Sequence, residues 1–167
     1  PRDYQQVFGP SDIAFDSAGN VYVGDARQNM IIKYNAAGDY VTHWTVYGIR
    51  RLTLDPTSGH IYVGRTNDEI EIYDDSGNHL HTFGGSGSGD GEFTGIFGIA
   101  IDDDYIYVAD SGNNRVQIFR KSDRAFVTSV GGSGTGDGEL QYPTGLTVGS
   151  GHQLYVADSN NARVQLF

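Results

Sequence analysis

The chain reads as short apolar runs cut by polar turns. One segment recurs four times: Val21-Tyr22-Val23-Gly24-Asp25, Ile61-Tyr62-Val63-Gly64-Arg65, Ile106-Tyr107-Val108-Ala109-Asp110 and Leu154-Tyr155-Val156-Ala157-Asp158. Its tyrosines lie 40, 45 and 48 residues apart. Eleven or twelve residues after each comes an aromatic, Tyr34, Tyr73, Phe119 or Phe167, closing a second apolar run. A further run precedes each anchor: Ile13-Ala14-Phe15, Leu52-Thr53-Leu54, Ile99-Ala100-Ile101 and Leu146-Thr147-Val148. The first three units add another: Tyr40-Val41-Thr42-His43-Trp44, His79-Leu80-His81-Thr82-Phe83 and Phe126-Val127-Thr128-Ser129-Val130. Runs this short, rich in Val, Ile and Tyr and bounded by Gly, Asn and Asp, predict strands. The alternation in Val116-Gln117-Ile118-Phe119 and Val164-Gln165-Leu166-Phe167 places successive side chains on opposite faces of a sheet. Nothing keeps helical spacing over a helix-length window.

Each unit is therefore a meander of four antiparallel strands. Such a sheet has two apolar faces and must stack on copies of itself to bury them. Four strands per ~40–50 residues, repeated, predict an all-β fold: a β-propeller of four four-stranded antiparallel blades. The repeats run at about 10–46, 47–85, 96–132 and 143–167 with 1–9, within one domain of 167 residues. The last unit stops on its third strand, at Phe167, and the N-terminal Tyr4-Gln5-Gln6-Val7-Phe8-Gly9 resembles the missing strand. It completes the C-terminal blade of the same chain, closing a monomeric ring, or pairs with another copy in a strand-exchanged homo-oligomer.

Composition adjusts this picture in three places. Of 24 glycines, thirteen fall in residues 84–98 and 131–145, so glycine marks repeated crossovers and not a flexible chain. Eleven Lys and Arg against 21 Asp and Glu give a net charge of −10, which argues against nucleic acid and membrane surfaces as partners. The absence of cysteine excludes disulfides, thiolate metal sites and thiol catalysis. No apolar run approaches the ~20 residues of a membrane helix, and the compartment stays open.

The units from Gly84 to Phe119 and Gly131 to Phe167 resemble the NHL repeat, through Ile106-Tyr107-Val108-Ala109-Asp110-Ser111-Gly112-Asn113-Asn114-Arg115-Val116 and Tyr142-Pro143-Thr144-Gly145 with Ala157-Asp158-Ser159-Asn160-Asn161-Ala162-Arg163-Val164. The first unit matches less well, and the second diverges most, with Arg65 in place of Asp. The resemblance implies a propeller, typically of six blades. It also implies one of several functions: protein- or RNA-binding modules, sensor domains and, in related propellers, a metal-dependent lyase.

The loops between second and third strands share a face with the crossovers, and binding residues collect on loops held by a rigid scaffold. Asp25, Asp110 with Arg115, and Asp158 with Arg163 are expected to brace their blades through charge-assisted bonds. Ligand-binding candidates are Arg27, Arg50, Arg51, Arg65, Asn113 and Asn160, with the arginines suited to carboxylate or other anions. Five scattered histidines make no zinc site, and Asp102-Asp103-Asp104 reads as a solvated turn. The glycine-rich crossovers lack the Gly-Lys-Ser/Thr ending of a phosphate loop. No catalytic residue, metal or cofactor is assigned. The expected function is a non-catalytic scaffold recognising a protein, peptide or glycan. A metal-dependent lyase or lactonase-like hydrolase, and a trimmed or engineered propeller fragment, are the alternatives.

Overall fold

The computed structural model describes residues 6–167, and among them every extended element lies in an antiparallel sheet. Two compact units divide the chain. The first comprises the described residues up to Thr66 together with Ile70–Thr82, and the second Asn67–Glu69 with Phe83–Phe167.

The first unit is built on two sheets, each in sequence order. One holds β1 (Pro10–Phe15), β2 (Val21–Asp25), β3 (Met30–Tyr34) and β4 (Tyr40–Thr45). The other holds β5 (Ile49–Leu54), β6 (Ile61–Arg65), β7 (Glu69–Tyr73) and β8 (His79–Gly84). The second unit holds β9 (Ile96–Ile101), β10 (Tyr105–Asp110), β11 (Arg115–Arg120) and β12 (Phe126–Gly131), then β13 (Pro143–Val148), β14 (Leu154–Asp158) and β15 (Arg163–Leu166). The fold is thus all-β and made of propeller blades, three with four strands and one with three among the described residues. Of the proposed N-terminal strand, Tyr4 and Gln5 lie outside the described residues. Gln6–Gly9 form no strand, and the amides of Phe8 and Gly9 donate to Asp25 of their own blade, at 2.6 and 3.2 Å.

Burial follows the alternation. Tyr22, Ile31, Ile49, Leu52, Ile61 and Val63 form the core of the first unit. In the second, Ala100, Tyr107, Val116, Leu140, Leu154 and Val156 do the same between neighbouring sheets. At ~1.5–3 kcal/mol for each large apolar side chain taken from water, this stacking is the main term holding blades together. Two apolar surfaces stay open. Ile13 and Phe15 on β1 are 52% and 61% exposed, as are Val164 and Leu166 on β15 at 68% and 55%.

The turns follow from side chains that imitate backbone. Asp16 Oδ1 accepts the amides of Ala18 and Asn20, and Asp74 Oδ1 those of Ser76 and Asn78. These Asx turns end one strand and aim the next. The two glycine-rich crossovers each tuck an apolar plug, Phe93 or Leu140, under the chain, both fully buried. Gly131 makes room for one of them: its φ is +98°, and a Cβ there would stand 2.6 Å from Leu140 Cδ1. Gly131→Ala is therefore expected to lower stability by about 1–3 kcal/mol, read as a lower urea midpoint with unchanged slope. A wild-type midpoint would count against this account of the crossover.

Candidate recognition face

At the loop-rich end of each blade the last residue of the second strand closes the turn. Asp110 ends β10 and has no solvent exposure. Its carboxylate accepts Thr94 N at 2.8 Å, Asn113 Nδ2 at 2.9 Å, Arg115 Nε at 2.8 Å and Gln117 Nε2 at 3.1 Å. Arg115 also donates through Nη2 to the carbonyls of Gly89 and Glu92, at 2.6 and 3.2 Å, fastening the crossover that leads into the blade. The next blade repeats the arrangement atom for atom: Asp158 takes Gln141 N, Asn161 Nδ2, Arg163 Nε and Gln165 Nε2, while Arg163 reaches Gly136 and Glu139. Burial alone would raise the Asp158 carboxyl. The donors from Gln141, Asn161, Arg163 and Gln165 outweigh it and hold the group below the ordinary carboxylate range.

The first blade carries the same lock without a cation. Asp25, fully buried, takes the amides of Phe8, Gly9 and Gln28 and the Gln28 side chain, whose net effect again depresses its pKa against the opposing effect of burial. The second blade reverses the polarity. Arg65 occupies the aspartate position and donates Nε to Tyr47 O at 2.9 Å, where the other blades accept a crossover amide. Glu71, at the position of Gln117 and Gln165, receives Arg65 Nη1 at 2.6 Å. The same closure is made with donor and acceptor exchanged.

The glycine crossovers likewise hold an anion of their own. Glu92 Oε2 accepts Gly89 N at 3.0 Å and Glu139 Oε2 accepts Gly136 N at 2.8 Å. A Cβ at Gly87 would collide with the Glu92 carboxylate, and one at Gly134 with that of Glu139. These amides are taken up by the chain itself, and close approach as well as positive φ accounts for the glycine.

Of the six ligand-binding candidates, Arg27, Arg50, Arg51 and Arg65 belong to the first unit and Asn113 and Asn160 to the second. Arg65 is in the lock just described. Asn113 serves Asp110 and also donates to Gly87 O at 2.9 Å. Its structural counterpart is Asn161 and not Asn160, whose side chain is exposed and whose amide bonds Gln141 O. Arg50 and Arg51 are half-buried on β5, with Arg51 Nη1 on Arg50 O. Arg27 is exposed on the β2–β3 loop. It lines a pocket of about 230 Å³ with Gln28, Asn29, His43, Thr45 and Tyr47, all within the first unit. Sequence reading missed Gln117, Gln165 and Glu71, which it used only as markers of strand alternation. Their recurrence two residues into the third strands of the second, third and fourth blades was the available signal.

At the opposite end of the second unit, the turn Asp102-Asp103-Asp104 is more than a solvated turn. Asp102 Oδ2 receives His152 Nδ1 at 2.6 Å and Tyr107 OH at 2.8 Å, and Lys121 Nζ donates to Asp102 O at 2.8 Å. Asp104 stands 3.7 Å from His152 Nε2, and Tyr105 packs edge-on against the imidazole. The bond to Asp102 raises the His152 pKa above 6.5. The Asp102 carboxyl, which burial would raise, is depressed by His152, Tyr107 and turn amides. A raised histidine pKa stabilises fully below its unfolded value and loses that contribution as pH rises through the folded value; a depressed aspartate does the converse at acid pH. The His152 contribution should therefore fade above pH ~6.5. Urea midpoints measured across that range should fall more in wild type than in His152→Ala, and parallel curves would mean that the His152–Asp102 pair adds nothing to stability. Among the described residues no three His, Cys, Asp or Glu side chains are grouped to hold a metal ion, and no helix is long and apolar enough to cross a membrane.

Two of the blades are thus closed by the same Asp and Asn-x-Arg turn. The chain matches the NHL repeat model at residues 95–119 and 140–167. Over 67 residues, 40% of this chain, it is 46% identical to Protein lin-41 of Caenorhabditis elegans, of which the match spans 6%. Among solved structures it resembles a streptogramin B lyase, with a TM-score of 0.72 at 15% identity over 95% of this chain and 54% of the lyase. It also resembles the hydrazine synthase of Kuenenia stuttgartiensis, with a TM-score of 0.67 at 13% identity, covering 97% of this chain and 50% of that one. The β-propeller domain of Cps50 (Swd1) from Myceliophteria thermophila matches with a TM-score of 0.71 at 11% identity, over 95% and 53% of the two chains. The chain spans about half the length of these structures, and at such identities the likeness is one of fold.

Proposed function

We propose that this chain is a non-catalytic recognition scaffold that binds a protein, peptide or glycan through its loop-rich ends. The observation that supports this most is the occupation of the recurring charged residues. Asp25, Asp110 and Asp158 are buried and saturated with framework donors, and Arg115 and Arg163 clamp backbone carbonyls. Groups so committed make a loop platform rigid and leave contact to the exposed loop residues around them. The net charge of −10 favours a basic partner during approach, through long-range steering.

Selecting peptides from a random library on the full chain, followed by amide-shift mapping, tests this reading. Binders that perturb 26–29, 47–48, 111–114 or 159–162 sustain it. Tight stoichiometric binding of Ca²⁺ or Zn²⁺ in a calorimetric titration would replace it with the metal-dependent lyase or hydrolase reading. The open apolar surfaces at Ile13, Phe15, Val164 and Leu166 bear on assembly. A concentration-independent mass near 18 kDa by sedimentation supports a monomer, and a rising mass supports exchange between copies.

A further inference from the structure

Arg27 is chemically distinct from the other arginines of the described residues. Arg65, Arg115 and Arg163 are fixed in the blade locks, Arg120 pairs with Asp123 at 2.7 Å, and Arg124 donates to Ser122 O. The guanidinium of Arg27 has no hydrogen bond or ion pair among the described residues, although its side chain borders a pocket. Around it stand Gln28, Asn29, Thr45 and His43, the last hydrogen-bonded to Tyr40 OH at 2.6 Å, with the ring of Tyr47 65% exposed at the rim. In a chain with 21 acidic residues, no carboxylate among the described residues lines this pocket. Asp25, behind Gln28, is buried and its charge is distributed over its own amide donors. A second cavity of the same unit shows the contrast: about 510 Å³ in volume, it is lined by Asp16, Asp55 and Asp75.

Size narrows the occupant. Pockets for drug-sized ligands run to ~300–1,000 Å³, and about 230 Å³ holds one side-chain group. A guanidinium fork in a pocket that an aromatic side chain also lines suits a planar or tetrahedral anion, through paired N–H donors and stacking of the carrier chain. Resting on the scaffold reading, we infer that the Arg27–Tyr47 pocket receives a single carboxylate or phosphate group carried by a bound protein segment. The broad negative field then steers a basic partner, and this pocket fixes its register by accepting one anionic residue.

The test is a titration of the ¹⁵N-labelled full chain with inorganic phosphate and, separately, with acetate. Saturable shifts confined to the amides of Gln28, Asn29, Thr45 and Tyr47 are expected, with millimolar dissociation constants. Arg27→Gln should weaken binding by about tenfold or more, as loss of a charge-assisted pair predicts. Arg27→Lys should retain part of it and Tyr47→Ala should weaken a tethered anion more than a free one. Because Arg27 and Tyr47 are exposed, all three variants are expected to keep the wild-type melting temperature. A marked preference for phosphate assigns the group to a phosphorylated residue, and parity with acetate assigns it to Asp or Glu. Absence of shifts, or shifts that survive Arg27→Gln, overturns the assignment. Single-stranded RNA that displaces the anion at physiological salt overturns the partner class. Library peptides that bind the loops independently of Arg27 would overturn the pocket alone and leave the scaffold reading standing.

Discussion

Asp110→Ala should cost about 3–5 kcal/mol, the range found when one partner of a buried ion pair is removed and the other is left uncompensated. The substitution deletes the acceptor for Thr94 N, Asn113, Arg115 and Gln117 together. In the ~5–15 kcal/mol that separates folded from unfolded domains, that is a large share, and the melting temperature should fall by roughly 6–20 °C. Arg115→Ala should cost less, because its side chain is partly exposed and the carboxylate keeps three other donors. The double variant should be less destabilised than the sum of the two, with a coupling of about 1–3 kcal/mol. Additive losses in chemical denaturation would mean that Arg115 acts mainly on the Gly89 and Glu92 carbonyls. Binding of a loop ligand that survives in the folded fraction of Asp110→Ala fits a framework role; equal stability with lost binding would make Asp110 a contact residue.

The reversed lock of the second blade yields the other large effect. Arg65→Asp alone sets a carboxylate beside Glu71 and removes the donor to Tyr47 O, and should destabilise by about 2–4 kcal/mol, somewhat less than a fully buried pair because both side chains retain some solvent contact. Adding Glu71→Gln recreates the Asp and Gln of the third and fourth blades and should recover most of the loss. Glu69→Arg, at the position of Arg115, should recover more. A double variant no more stable than Arg65→Asp would show that the crossover at Tyr47 cannot turn an amide toward the aspartate position.

The blades were legible because apolar spacing and turn chemistry agree. Tyr22, Tyr62 and Tyr107 recur in the same frame and are buried to 3% exposure or less, and the Asx turns at Asp16 and Asp74 carry their own hydrogen bonds. The Asp110 and Arg115 pair was legible from spacing, since the residues that flank a short connection between antiparallel strands stand opposite one another. Contacts between residues far apart in sequence were not. His152 meets Asp102 across 50 residues, and no local pattern records it. Arg65 reads as a ligand-binding candidate alongside Arg50 and Arg51 because nothing in the spacing pairs it with Glu71, which alternates with Ile70 and Ile72. Val7-Phe8-Gly9 resembles Thr82-Phe83-Gly84, yet Phe8 presents its amide to Asp25 as Thr94 does to Asp110 and Gln141 to Asp158. An aromatic before glycine occurs at both ends of a crossover, and only the carboxylate partner tells them apart.

The unmatched apolar faces carry a meaning beyond assembly tests. Tyr155 is 39% exposed where its three counterparts are buried, and Val164 is 68% exposed where Val116 is fully covered. Nothing in the side-chain chemistry distinguishes the covered positions from the open ones. A blade has no terminal grammar: the residues that bury against a neighbour are the same ones that would accept another. The exposed positions of the first and last strands therefore offer the same kind of surface that neighbouring blades bury against each other.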